Sequence, residues 1–191
     1  MTGRRDIPWL TLLVFAVTAV VTLGMLVYPL IGAALQRDPA MLHGEWWRFF
    51  TTWFVLTDGW PQIVLNNIAL LIFGSIVERR LGRLWWIIAY VAAGLAGEVA
   101  GIFWQPVGGG NSVAICGLVG LFAISQLSLG GAPPAARFVP ASLCAAIAVW
   151  LASRSDIHGI ALAAGLLVAA GHFFAGRRAA AAGFRHIERQ S

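Results

Sequence analysis

The stretch PWLTLLVFAVTAVVTLGMLVYPLIGA, residues 8–33, holds no charged side chain. A helix needs about 20 predominantly apolar residues to cross a bilayer. A cleavable leader has an apolar core of only about 7–15 residues. Further apolar runs follow at 61–77, 84–104, 112–129, 138–152 and 157–175. Residues 8–33 therefore read as a first transmembrane helix, with five more behind it. The fourth and fifth runs are short for a span and need flanking residues, tilt or local bilayer thinning. The expected fold is an all-α polytopic membrane protein of six transmembrane helices. It forms a single membrane domain over 1–191, with a basic tail at 176–191.

Composition excludes the other classes. Hydrophobic residues make up 59% and charged residues 11%, against about 45–50% and 25% in soluble domains. Mean hydropathy is +0.80. A disordered chain needs the opposite balance, and a soluble domain needs a more polar surface. All 13 basic residues are arginine, and the net charge is +5. In a soluble protein such a balance suggests nucleic acid. Here the arginines lie between apolar runs and read as a topology signal, so the bilayer is the expected partner and nucleic acid is not.

Six spans put both termini on one side. With the N-terminus inside, the inner arginines are Arg4, Arg5, Arg79, Arg80, Arg83, Arg137, Arg177, Arg178, Arg185 and Arg189. The outer ones are Arg37, Arg48 and Arg154. That asymmetry follows the positive-inside rule and makes both termini cytoplasmic. Trp46, Trp47, Trp53, Trp60, Trp104 and Trp150 then fall at the outer interface, and Trp85 and Trp86 at the inner one, where indole rings prefer to sit. Residues 34–60, rich in aromatics, are expected to lie in the interface as short helices. Cys116 and Cys144 sit in apolar runs without a CxxC, so neither a disulfide nor a metal framework follows.

A polar side chain at membrane depth is costly and marks a candidate site. Gln62 and Asn66 lie four apart near the start of the second run and share one helix face. Ser112 opens the fourth run and His158 the sixth. Runs two, four and six all start outside, so these four residues fall at similar depth. His172 lies roughly 21 Å deeper at about 1.5 Å per residue and cannot join them. Serine with histidine is the minimum for nucleophilic acyl transfer. Asn66, Gln62 and a backbone N–H at the start of the fourth helix offer donors for a developing oxyanion. Gly108, Gly109 and Gly110 let backbone approach a substrate closely. Spacing alone also allows plainer roles. Ser112 can be a helix cap, His158 an interfacial residue, and the two amides interhelical glue. Glu98 reads as protonated, paired or snorkelling, with a proton-relay role as the functional alternative.

Taken in order, the motifs resemble those of the rhomboid intramembrane serine proteases. They are Gly44-Glu45-Trp46-Trp47-Arg48, Asn66, Gly74-Ser75-Ile76-Val77-Glu78-Arg79-Arg80-Leu81-Gly82, Gly109-Gly110-Asn111-Ser112 and His158. The resemblance covers about residues 40–175 and implies a six-helix core. It implies Ser112 as nucleophile, His158 as general base, Asn66 as an oxyanion donor and Arg48 as the arginine that orders the first loop. It implies single-pass transmembrane protein substrates with small residues at the cut, no cofactor and no metal. With the compact single chain and arginine-rich inner loops, it suggests a bacterial inner (plasma) membrane.

Four positions depart from the family pattern. Gln62 stands where a second oxyanion donor, a histidine, is usual; an amide can also donate. Leu56-Thr57 occupies the place of a loop histidine. Val113 replaces the glycine after the serine and is expected to crowd the site. Cys116 replaces an aromatic ring that supports the histidine. These departures keep one alternative open, a rhomboid-like protein that binds transmembrane helices without cutting them; Glu98 and His172, as embedded relay groups, offer another, a small transporter or channel.

Overall fold

The computed structural model describes the backbone of residues 7–128 and 133–188, and the side chains of these apart from 134 and 177–188. The first apolar run is broken. Helix α1 covers Trp9–Val27, and a short α2 follows at Leu30–Leu35. Proline disfavours helical backbone at the residue before it. Tyr28, ahead of Pro29, accordingly sits at φ −130° and ψ 88°. The helix expected over 8–33 thus ends at Val27, and the chain turns there.

The aromatic connection folds into short helical turns. A 3-10 turn at Pro39–Leu42 is capped by the Asp38 side chain, which accepts from the Ala40 N–H. Helix α3, Arg48–Thr51, runs into a second 3-10 turn at Thr52–Phe54. The next long helix, Gly59–Leu81, has two α segments, α4 (Gly59–Ala69) and α5 (Ser75–Leu81), joined by a π turn at Leu70–Gly74. Then come α6 (Arg83–Trp104), α7 (Ser112–Ser125, with a 3-10 turn to Ser128), α8 (Pro134–Ser153) and α9 (Ile157–Glu188). Helix α8 starts ahead of its apolar run because Pro134 occupies the first helical position, where its missing N–H costs nothing. Helix α9 continues past 175 through an alanine-rich stretch, and alanine has the highest helix propensity.

Among the described residues, five helices are long and apolar enough to cross a membrane: Trp9–Val27, Gly59–Leu81, Arg83–Trp104, Ala135–Ser153 and Ile157–Gly176. The sixth expected span, Ser112–Ser128, is shorter. The chain is an integral, multi-pass helical membrane protein. Of the arginines used for topology, Arg4, Arg5 and Arg189, and the side chains of Arg177, Arg178 and Arg185, lie outside the described residues.

Helix α7 is short because it is central. It packs against α6, α9, α8 and α5, and Val113, Ala114, Ile115, Gly117, Leu118, Gly120, Leu121 and Ala123 are buried. A helix apolar on every side belongs in an interior. Lipid tails are as apolar as leucine, so helices associate through close packing of small residues. A Cβ on Gly165 of α9 would lie 2.7 Å from the Gly117 Cα, and one on Gly120 would lie 2.7 Å from the Gly165 carbonyl carbon. The two backbones touch, and any side chain there would separate them.

Polar anchors tie the outer elements to this centre. The buried Glu78 carboxylate in the middle of α5 accepts from the N–H groups of Leu10 and Thr11 at 3.0 and 2.9 Å, and from Thr11 Oγ1 at 2.9 Å. The first N–H groups of a helix have no partner within it. A negative charge there is also favoured by the helix dipole.

Replacing Gly165 with valine should destabilise the bundle by about 1–3 kcal/mol, the usual range for overpacking. Gly171→Ala, where a Cβ meets nothing within 4 Å, should leave stability unchanged. Thermal unfolding in detergent micelles distinguishes them; equal midpoints would contradict the packing described.

Candidate active site

Ser112 is the first residue of α7, and His158 the second of α9. The chain reaches Ser112 through Gly108 and Gly110, at φ +150° and +149°, a conformation that only glycine adopts without strain. The Gly110 carbon faces Gln62 and Ser112: a Cβ there would lie 2.6 Å from Gln62 Nε2 and 3.5 Å from Ser112 Oγ. Ser112 Oγ stands 2.7 Å from His158 Nε2. That is within the reach of about 2.6–3.2 Å needed for proton transfer. On the other side of the ring, Asp156 Oδ1 lies 2.6 Å from His158 Nδ1 and accepts from the His158 backbone N–H at 3.0 Å. Burial pushes the Asp156 carboxyl up. The hydrogen bonds from the His158 N–H and ring, with the ring's charge, outweigh that and hold it below the ordinary carboxylate value.

Ser112 and His158 open onto a cavity of about 210 Å³, which Gln62, Asp58, Arg37 and Val113 also line. Gln62 is fully engaged. Its Nε2 donates to the Gly109 carbonyl at 2.8 Å and to Asp58 Oδ2 at 3.0 Å, and its Oε1 accepts from the Asp58 N–H at 3.0 Å. Asn66 lies one turn further along α4 and is not among the residues lining this cavity. Its Nδ2 is buried without a hydrogen-bond partner among the described residues. Arg48 lies outside the cavity. It donates to Glu45 Oε2 at 2.6 Å and to the carbonyls of Ala33 and Gln36, both at 2.8 Å. These are unpaired carbonyls at the end of α2, so Arg48 fastens the aromatic connection to that helix.

Two features escaped the sequence reading. One is Asp156; its signal was an acidic residue two places before a histidine at a helix start, a pattern that usually means only a cap. The other is the partner of Glu98. Arg37 NH1 lies 2.9 Å from Glu98 Oε2, with both side chains buried. Arg37 Nε donates to the Gln105 carbonyl at 2.7 Å. The Arg37 N–H donates to the Gly108 carbonyl at 2.8 Å, and the Gly108 N–H returns a bond at 3.2 Å. The pair clamps the first connection onto the loop that delivers Ser112. No spacing in the sequence links Arg37 to Glu98; Arg37 figured there only as an outer arginine.

Val113, expected to crowd the site, is accommodated by Gly97 of α6. A Cβ on Gly97 would lie 2.9 Å from the Val113 Cβ, and only the missing side chain leaves room for the branch. Val113 still forms one wall of the cavity. Cys116 is half-buried one turn below Ser112. His172 packs on Trp85, with ring centres 4.5 Å apart, and lines a separate cavity with Leu81 and Phe173. Among the described residues, no group of three or more His, Cys, Asp or Glu could hold a metal ion.

A hydroxyl within reach of an imidazole, on a polar cavity in a bundle of apolar helices, defines a class: multi-pass helical membrane proteins with a hydrogen-bonded serine–histidine pair. The chain belongs to the rhomboid family: a family model described as Rhomboid domain matches residues 43–178. Rhomboid protease GluP of Bacillus subtilis is 33% identical over 100 residues, 52% of this chain and 20% of that protein. RHOMBOID-like protein 9, chloroplastic, of Arabidopsis thaliana is 34% identical over 106 residues, 54% of this chain and 24% of that protein. The chain spans less than half the length of these curated relatives.

Breaking a buried ion pair from one side leaves an uncompensated charge and costs about 3–5 kcal/mol. Glu98→Gln should lower stability on that scale, read as a lower thermal unfolding midpoint in micelles. An unchanged unfolding midpoint would show that the clamp is not structural.

Proposed function

We propose that this protein is an intramembrane serine endopeptidase that cleaves transmembrane protein substrates within or near the bilayer. The observation that carries the proposal is the 2.7 Å contact between Ser112 Oγ and His158 Nε2 on a polar cavity, in a chain of the rhomboid family. In this mechanism Ser112 attacks the scissile carbonyl while His158 takes its proton. His158 then returns the proton to the leaving amine, and water hydrolyses the acyl-enzyme by the same route. The oxyanion is met by a backbone N–H at the start of α7 and by the Asn66 and Gln62 amides. Arg48 orders the first loop around the site. The protein works as a six-span bundle over 1–191 with a rhomboid-like core at about 40–175. Both termini are cytoplasmic, the site faces the outer side of a bacterial inner membrane, and single-pass proteins are the substrates. The short α7 counts as the sixth span because its first residue belongs in a water-filled cavity, where non-helical backbone at membrane depth is tolerated.

One observation favours the second reading, a rhomboid-like protein that binds transmembrane helices without cutting. Gln62 spends both amide hydrogens on Asp58 and Gly109, so neither is free for an oxyanion until one bond breaks. Glu98, which the transporter reading needs as a relay group, is instead paired with Arg37.

The test is cleavage of a fluorescent single-span reporter in proteoliposomes. Wild type should cut it, and Ser112→Ala and His158→Ala should not. Gln62→His should speed cleavage by up to about 10²-fold, the scale of one oxyanion donor. Reporter binding without cleavage, unchanged by Gln62→His, would support the non-cutting reading.

A further inference from the structure

The turn between α8 and α9 places one carboxylate against the imidazole, and its geometry leaves little freedom. At the end of α8, the Ser155 N–H donates to the Ala152 carbonyl at 3.0 Å and the Asp156 N–H to the Leu151 carbonyl at 3.0 Å. These are the paired bonds that close a helix when the chain turns through one left-handed residue. That residue is Ser155, at φ +57°, where glycine is usual. A non-glycine residue there costs roughly 1–2 kcal/mol. The turn directs Asp156 straight into α9, where its Oδ1 meets both the backbone N–H and the ring Nδ1 of His158. Three residues, Arg154, Ser155 and Asp156, thus join α8 to α9, and the last of them touches the base.

We propose that Asp156 is a positioning residue that holds His158 with its proton on Nδ1, leaving Nε2 free to take the proton of Ser112 Oγ. The inference rests on the proposed hydrolysis at Ser112. During attack the Oγ–H bond breaks and its proton moves to Nε2. The Oγ–carbon bond forms, and the carbonyl π electrons move onto oxygen. Asp156 takes no proton; its charge stabilises the imidazolium through the Nδ1–H bond. The site then operates as a serine–histidine–aspartate triad within a membrane bundle, with the carboxylate orienting the ring and holding its charge.

Asp156 has charged and titratable neighbours. Asp58 and Arg37, the latter paired with Glu98, share the cavity with His158. Cys116 on α7 lies within electrostatic range of Asp156, and Arg154 in the same turn lies over the Trp150 ring. The Asp156 carboxyl is held below its ordinary value, so it stays ionised through the neutral range. A depressed carboxylate contributes above its unfolded pKa of about 3.9 and loses that contribution only as pH falls through the folded value. The orienting charge should therefore be constant wherever His158 is neutral.

A simple helix cap would explain the backbone contact alone, and Asp156→Asn separates the two roles. Asparagine caps a helix about as well as aspartate, so the thermal midpoint should hold. The amide lacks the charge and can turn its NH₂ toward Nδ1, favouring the wrong tautomer. With a fluorescent single-span reporter, Asp156→Asn should lower kcat by about 10²-fold or more, towards the ~10⁴-fold loss for a triad carboxylate, with KM unchanged. Independently of turnover, ¹⁵N NMR of the labelled ring in micelles at pH 8–9 should show the Nδ1–H tautomer in wild type and its loss in Asp156→Asn. A wild-type kcat in the variant, or an unchanged tautomer, overturns the proposal. If the wild type cuts nothing, the hydrolytic reading fails while the tautomer comparison still decides the role of Asp156.

Discussion

The rest of the structure depends on the direct contact of two helix backbones. Where Gly117 and Gly120 of α7 meet Gly165 of α9, no side chain intervenes. That contact sets the spacing of the two helices over their upper turns, where Ser112 and His158 sit at the corresponding ends. Larger residues at the crossing would push the two helices, and with them the hydroxyl and the imidazole, apart. The serine–histidine distance is thus a consequence of packing further down the bundle.

Such a crossing leaves the surrounding elements to be fastened by polar groups, because lipid supplies no hydrophobic drive to hold one helix on another. Three side chains act in this way, each at a place where backbone or charge would otherwise go unpaired. Glu78 satisfies the start of α1, Arg48 the end of α2, and Arg37 the loop before Ser112 while neutralising Glu98. All three are buried. Glu78 and Arg37 each join segments more than 60 residues apart, and Arg37 holds the first connection against the Ser112 loop.

Much of this was legible in the residues. Apolar runs with few charges locate helices by length, and the order of polar residues on runs two, four and six picked out Ser112 and His158. What was not legible follows from short-range physics that periodicity ignores. Pro29 breaks the first run through its effect on Tyr28. The accommodation of Val113 depends on Gly97, a residue on another helix. Arg37 and Glu98 carry no mutual spacing signal, since ion pairs between helices are set by three-dimensional packing. Asp156 was hidden because a carboxylate two residues before a histidine looks like a cap until the ring's orientation is known. Gln62 and Asn66 share a helix face, yet only Gln62 lines the cavity; Asn66 lies one turn further along with its Nδ2 buried and unpartnered among the described residues.

The central claim is that Ser112 is a nucleophile activated by His158. The most direct measurement is the site of covalent modification by a fluorophosphonate, mapped by mass spectrometry on the full chain in micelles. An adduct is expected on Ser112 alone in the wild type and none in His158→Ala. Labelling of Ser125 or Ser128 in place of Ser112, equal labelling in His158→Ala, or no adduct under conditions that label a known rhomboid protease would contradict it.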